Sequence, residues 1–201
     1  MNSGLSIRKV DKNDEPILAS IIRATFEEFD APRKGTVYND PTTDHLFDLF
    51  NRNGAVLWVA MENSQVVGCC GVYPTEGLPQ KTAELVKFYL NPLARGKGIG
   101  KVLMETCINS AKQMGYKQLY LESMPQFSNA VNFYKRLGFT MLDVPMDILK
   151  QRLLARWGNL SKEAAQEKVT DNDLPNARLV LDNSVSADLI VGNSFEAELR
   201  L

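Results

Sequence analysis

The hexapeptide Arg95-Gly96-Lys97-Gly98-Ile99-Gly100 stands directly between a β-rich run and a helical one. By itself such a junction also fits a tight strand-to-helix connection with no ligand. Its glycines let the backbone turn tightly and approach a ligand without a Cβ in the way. The helix that starts there leaves unpaired N–H groups and a partial positive charge at its first turn. Together they form a seat for a phosphate or pyrophosphate, with Arg95, Lys97 and Lys101 as cationic donors around it. Two familiar phosphate motifs fail. A P-loop needs Gly-x-x-x-x-Gly-Lys-Ser/Thr, but its first Gly falls on Arg95 and its Ser/Thr on Val102. A dinucleotide fingerprint lacks its third glycine, because Lys101 stands there.

The flanking periodicity gives the element order. Residues 5–10 read as a strand, and Asn13 or Asp14 caps a helix with Pro16 in its first turn and a stripe of Leu18, Ile21, Ile22, Thr25 and Phe29. A loop over residues 31–40 precedes a second helix over 43–51. Val56–Met61 and Gln65–Tyr73 form a hairpin around a short polar turn. Thr82–Leu90 is a strand with Glu84, Val86, Phe88 and Leu90 on one face and Leu85, Lys87 and Tyr89 on the other. The helix from Gly98 to Met114 presents Ile99, Val102, Leu103, Cys107 and Met114 to the core and is closed by Gly115. A strand at Gln118–Glu122, a helix from Ser128 to Leu137 stopped by Gly138, and an extended piece from Phe139 follow. This order predicts an α/β (α+β) fold, with a mixed, mostly antiparallel central sheet and helices on both faces.

Bulk properties exclude several classes. A net charge of −1, without a basic stretch interleaved with aromatics, argues against nucleic acid. The longest apolar run, Ala55–Met61, is too short to span a membrane, and no signal peptide is visible at the start. Cys69, Cys70 and Cys107 are odd in number and lack a Cys-x-x-Cys pattern, so they read as reduced, buried residues of a cytoplasmic protein. His45 reads as structural, and no metal site is expected.

Arg95, Gly98 and Gly100 satisfy Arg-x-x-Gly-x-Gly. With residues 84–104, ELVKFYLNPLARGKGIGKVLM, and 128–139, SNAVNFYKRLGF, the chain resembles the GNAT superfamily of acyl-CoA-dependent N-acetyltransferases over roughly residues 5–142. The resemblance implies acetyl-CoA as co-substrate, its pyrophosphate on the amides of Arg95, Gly96, Lys97, Gly98, Ile99, Gly100 and Lys101. It implies that the pantetheine arm runs along the backbone of Phe88, Tyr89 and Leu90. It further implies direct attack by a primary amine on the thioester, with Tyr134 as the acid and Glu84, or water, as the base. Many relatives carry an Asn seven residues before that tyrosine; here the position is Phe127. The acceptor, a small-molecule or peptide amine, would be chosen by the loop 31–40 and the first helices, with Phe26, Phe29, Asp30 and Tyr38 as pocket candidates. The oligomeric state is not legible.

Composition shifts after about Pro145. We expect an acetyltransferase domain over residues 1–145 and an appendage over 146–201, helical or irregular and not independently folded. LDVPMDILKQRLLARW, TDNDLPNARLVLDNS and ADLIV resemble the C-terminal end of uridine-kinase-like P-loop kinases, though the phosphate loop of those kinases is absent. Two other functions compete with acetyl transfer. One is a non-catalytic acyl-CoA sensor, which needs only the turn. The other is a remnant of a nucleotide-binding kinase.

Overall fold

In a computed structural model, residues 4–76, 78–141, 150, 154, 161–174 and 190–194 are described. The chain divides into two compact units, residues 1–74 with 84–116, and residues 75–83 with 117–201.

The first unit is built on a four-stranded antiparallel sheet in the order β1 (Leu5–Lys9), β2 (Val56–Glu62), β3 (Gln65–Tyr73), β4 (Thr82–Leu90), the first two residues of β4 belonging to the other unit. Asn63 and Ser64 take positive φ of 51° and 64°, the left-handed pair that matches a two-residue hairpin turn to strand twist, so β2 and β3 meet as the sequence predicts. Helices α1 (Glu15–Glu28) and α3 (Ile99–Gln113) take opposite faces of this sheet, and the short α2 (Leu46–Phe50) lies between α1 and β2 in sequence. Cys69 and its cross-strand partner Tyr89 face α1, where Phe26 stands 6.3 Å from the Tyr89 ring. Trp58 and its partner Cys70 point the other way, and the Trp58 indole donates to Ser110 of α3 at 2.9 Å.

Helix α1 is capped at Asp14, one of the two residues the pattern offers, though its side chain makes no cap bond to the helix. Asp11 caps a 3-10 turn over Lys12–Asp14, and the Asp14 carboxylate is taken by Arg8 in a bidentate pair at 2.6 and 2.7 Å. Those charge-assisted bonds hold the Asp14 carboxyl below its ordinary value despite burial, which acts in the opposite sense. On α3, Val102 and Met114 are 38% and 36% exposed, while Ile99, Leu103, Met104, Cys107 and Ala111 are buried. The core stripe of α3 therefore runs through Ile99, Leu103, Cys107 and Ala111 at i+4 steps, with Met104 beside it.

The second unit carries α4 (Ser128–Arg136) and an antiparallel sheet in the order β5 (Gln118–Glu122), β7 (Ile190–Ser194), β6 (Thr140–Met141). Leu119 and Leu121 of β5, Val131 and Tyr134 of α4, and Phe139 are buried. Gly138, at φ 88°, ends α4 in the left-handed conformation that glycine adopts without strain. Farther along, α5 (Lys162–Lys168) is capped by Ser161, whose hydroxyl accepts from the Ala164 amide at 3.2 Å. In the tail, residues 177–181 and 188–191 are β-like in sequence. The first lies outside the described residues. The end of the second begins β7, which pairs with β5 from Gln118↔Ser194 to Glu122↔Ile190 and with β6 at Thr140↔Gly192. No helix among the described residues is long and apolar enough to cross a membrane.

Candidate functional site

The turn between β4 and α3 is reached through a 3-10 turn at Pro92–Ala94, capped by the Asn91 side chain on the Leu93 amide at 3.0 Å. The glycines that follow differ in their tasks. Gly96 and Gly98 have φ of 75° and 84°, and a Cβ built on either meets no atom within 4 Å. Both are needed for conformation, and both border open space. Gly100 is a packing residue: its Cβ would stand 3.2 Å from Leu90 Cδ1 and from Phe88 Cζ. Only hydrogen lets α3 start this close to β4. The first helical bonds run from the Lys101 and Val102 amides to the Gly98 carbonyl at 3.0 and 3.2 Å. The amides of Ile99 and Gly100 therefore precede the helical ladder, as the first turn of any helix requires.

The cations around this turn are engaged within the protein. Arg95 makes a bidentate pair with Glu28 of α1 at 2.7 and 2.8 Å, donates from Nε to the Leu90 carbonyl at 3.1 Å and lies over Phe29, 5.4 Å from its ring centre. Its guanidinium thus acts as a strut between α1 and the turn, where the sequence had it facing phosphate. Lys97 pairs with Glu62 at 2.8 Å and Lys101 with Glu105 at 3.8 Å. Both pairs are solvent-exposed, and such pairs contribute about 0–1 kcal/mol, so a competing anion displaces them cheaply. Open space beside two left-handed glycines, free helical amides and exchangeable lysines together fit a diphosphate.

Upstream, β4 departs from strict alternation. Tyr89 pairs with Cys69 and Val86 with Gly71, so the single residue Cys70 stands opposite two, Lys87 and Phe88. This is a β-bulge, with Lys87 in the left-handed region at φ 55°. Across a ladder, paired residues share a face, and Cys69 and Gly71 share one. Glu84, Val86 and Tyr89 therefore lie together, which overturns the division expected from the sequence. Phe88 and Leu90 lie on the α3 face, both against Gly100. The bulge is anchored at its carbonyl, where Cys69 Sγ donates to Lys87 O at 3.1 Å. Bulges add no residue-type signal to a β-rich run, so the sequence pattern missed it.

Glu84 is buried, at 9% exposure, and pairs with Tyr73 across the ladder. Phe88, Tyr89, Leu90 and the turn share its unit. Tyr134 belongs to the second unit, 6% exposed in the last turns of α4, with Phe133 and Phe139 rings at 6.0 and 6.1 Å. Burial pushes the Tyr89 phenol above its ordinary value. Cys69 is likewise pushed up to about 12 by burial, and all three cysteines are free and buried. Of the acceptor-pocket candidates, Phe26 packs 6.1 Å from Tyr38, whose hydroxyl donates to Glu27 at 2.7 Å. Glu15, His45 and Asp48 bring donor atoms within 4.8 Å of one another. Glu15 there caps α2, accepting from the Phe47 amide at 2.9 Å, and Asp48 pairs with Lys12 at 3.8 Å. A surface cavity of about 370 Å³ lies beside α2, lined among others by Lys9, Phe47, Phe50 and Arg52, and contains none of the predicted site residues.

Comparison with known proteins bears on the whole arrangement. Residues 20–139 match the family described as "Acetyltransferase (GNAT) family". The chain is 33% identical over 138 residues to the uncharacterized N-acetyltransferase YjgM of Escherichia coli K12, covering 68% of this chain and 83% of that protein. It is 34% identical over 102 residues to N-acetyltransferase 8B of Rattus norvegicus, covering 50% of this chain and 44% of that longer protein. Among solved structures, the PaiA N-acetyltransferase of Thermoplasma acidophilum in complex with coenzyme A superposes with a TM-score of 0.61 at 18% identity, over 95% of this chain and 99% of that one. The kinase-like reading of residues 142–191 gains no support from these comparisons. The match of the family over residues 20–139, on a mixed, mostly antiparallel sheet whose β4 leads into a glycine turn and helix, shows that this chain is a member of the acetyltransferase (GNAT) family of acyltransferases.

Proposed function

We propose that the protein transfers the acetyl group of acetyl-CoA to a primary amine by direct attack in a ternary complex. The observation that carries this reading is the turn: two left-handed glycines beside open space, at the start of a helix whose first amides precede the ladder. The coenzyme A bound to the Thermoplasma structure supports it.

Acetyl-CoA brings an activated acyl group, and the chain's own residues do the rest. The turn from Arg95 to Lys101 holds the pyrophosphate, with the Ile99 and Gly100 amides, which precede the helical ladder, as donors, and the backbone of Phe88, Tyr89 and Leu90 aligns the arm. The bulge turns amides of β4 out of the ladder, a suitable arrangement for a developing oxyanion. Glu84, buried on β4, takes the ammonium proton directly or through water, and Tyr134 supplies a proton to the leaving thiolate. Residues 1–145 are then the catalytic domain and 146–201 an appendage that does not fold alone. The pairing of Ile190–Ser194 with β5 and β6 supports an appendage that depends on the rest of the chain to fold.

The direct test measures thiol release from acetyl-CoA across amino acids, polyamines, aminoglycosides and peptides, with thermal shifts by acetyl-CoA and by ATP alongside. Stabilisation by acetyl-CoA alone, with release dependent on an amine, is expected. Stabilisation without release on any amine would convert the reading to a sensor. Glu84→Gln tests the base. It leaves a group that accepts no proton, so more of the amine must arrive neutral, and the pH-rate profile should move to higher pH. An unmoved profile would assign the proton to water.

A further inference from the structure

Lys87 is the residue that the β4 bulge re-aims. It is half-buried, and its left-handed φ of 55° is costly for any side chain but glycine. Its ammonium reaches toward the loop after α1 and donates to Thr43 Oγ1 at 3.3 Å. Thr43 is fully buried, and its own hydroxyl proton goes to the Val37 carbonyl at 2.6 Å, so Thr43 offers Lys87 one acceptor. An ammonium has three donors. Six other cations, Arg8, Lys12, Arg23, Arg95, Lys97 and Lys101, make ion pairs with carboxylates. Lys87 makes no such pair among the described residues. Asp40 and Glu84 act on it only through space, and one Asp40 oxygen already caps the Thr42 amide and hydroxyl at 2.9 and 2.8 Å. Burial accordingly lowers the Lys87 pKa, with those two carboxylates opposing.

A half-buried cation whose hydrogen bond goes to one neutral hydroxyl is a poor structural element, since a methionine of similar length would fill the space without the charge. It is a good counter-ion for a ligand. The surroundings place that ligand on the acceptor side. Lys87 belongs to the α1 half of the site, with the loop of Asp40 and Thr43 above it and Tyr89, which packs on Phe26, two residues along. We infer that Lys87 is a specificity-determining residue of the acceptor site, its ammonium receiving a carboxylate carried by the amine that is acetylated. The inference rests on the chain's being an amine acetyltransferase, and it narrows the acceptor to amino-acid-like molecules over polyamines and other carboxylate-free amines.

The test compares kcat/KM for amino acids, each beside its decarboxylated amine, in the wild type, Lys87→Met and Lys87→Arg, with acetyl-CoA binding followed by thermal shift. The wild type should favour the carboxylate-bearing member of each pair. In Lys87→Met this preference should fall about ten- to a hundredfold, the usual worth of a hydrogen bond to a charged group, and Lys87→Arg should restore part of it. A loss of equal size for both members would make Lys87 a mere prop for the Thr43 loop and overturn the inference. So would a wild type indifferent to the carboxylate, a result that needs no variant to fold, or one that acetylates only carboxylate-free amines. Absence of both acetyl-CoA binding and thiol release with every amine would instead sink the underlying acetyltransferase reading, and the inference with it.

Discussion

Gly98→Glu is expected to abolish acetyl-CoA binding while leaving a folded protein. Three physical effects act together at this position. Gly98 has φ 84°, so any side chain there costs about 1–2 kcal/mol of backbone strain. The added Cβ meets no atom within 4 Å, so packing itself is undisturbed. The carboxylate then occupies the open space beside the turn and meets a diphosphate with like charge. Gly98→Ala separates these effects, because it carries the strain without the charge. We expect a modest loss of affinity for alanine and a loss of at least about a hundredfold for glutamate, equivalent to about 2.7 kcal/mol. Calorimetric titration with acetyl-CoA, with circular dichroism to confirm the fold, makes the comparison. A folded glutamate variant of undiminished affinity would place the cofactor elsewhere. Gly100→Ala is a useful contrast. Its Cβ crowds Leu90 and Phe88 at 3.2 Å, so it should fail through stability first.

Tyr134→Phe is expected to lower turnover by about a hundredfold or more, the usual worth of a general acid, with acetyl-CoA affinity nearly unchanged. The ring itself is structural. Tyr134 is buried against Phe139, and its carbonyl accepts from the Leu137 and Phe139 amides as α4 ends. Phenylalanine keeps the ring and the backbone bonds and deletes only the hydroxyl. Pre-steady-state measurement of acetyl transfer is the appropriate readout, because product release can mask a chemical step. An unimpaired chemical step in the folded variant would remove Tyr134 from the mechanism. The acid role would then fall to water.

What the sequence alone determined was local. Strand and helix identities follow from periods of 2 and 3.6, and caps and stops from Asp, Ser and Gly at element ends. The hairpin at Asn63-Ser64, the stop at Gly138 and the turn at 95–100 are therefore where the pattern puts them. The phosphate-seat reading was equally local, since a helix start and its preceding glycines are contiguous in the chain.

Tertiary structure alone decided everything that joins distant positions. Arg95 reads as a phosphate ligand in sequence, but Glu28, 67 positions away, claims its guanidinium. The bulge at Lys87 is a property of the ladder between two strands, since it exists only where one residue of β3 stands opposite two of β4. It reversed the expected face of Tyr89 and aimed Lys87 at the loop of Thr43. The strand Ile190–Ser194 looked like a fragment of tail, and its place between β5 and β6 depends on two partners about 50 and 70 positions upstream. Short-range preference sets the element, while long-range pairing sets its register and neighbours. The charges and faces of an active site depend on those neighbours, so they emerge only once the chain has closed on itself.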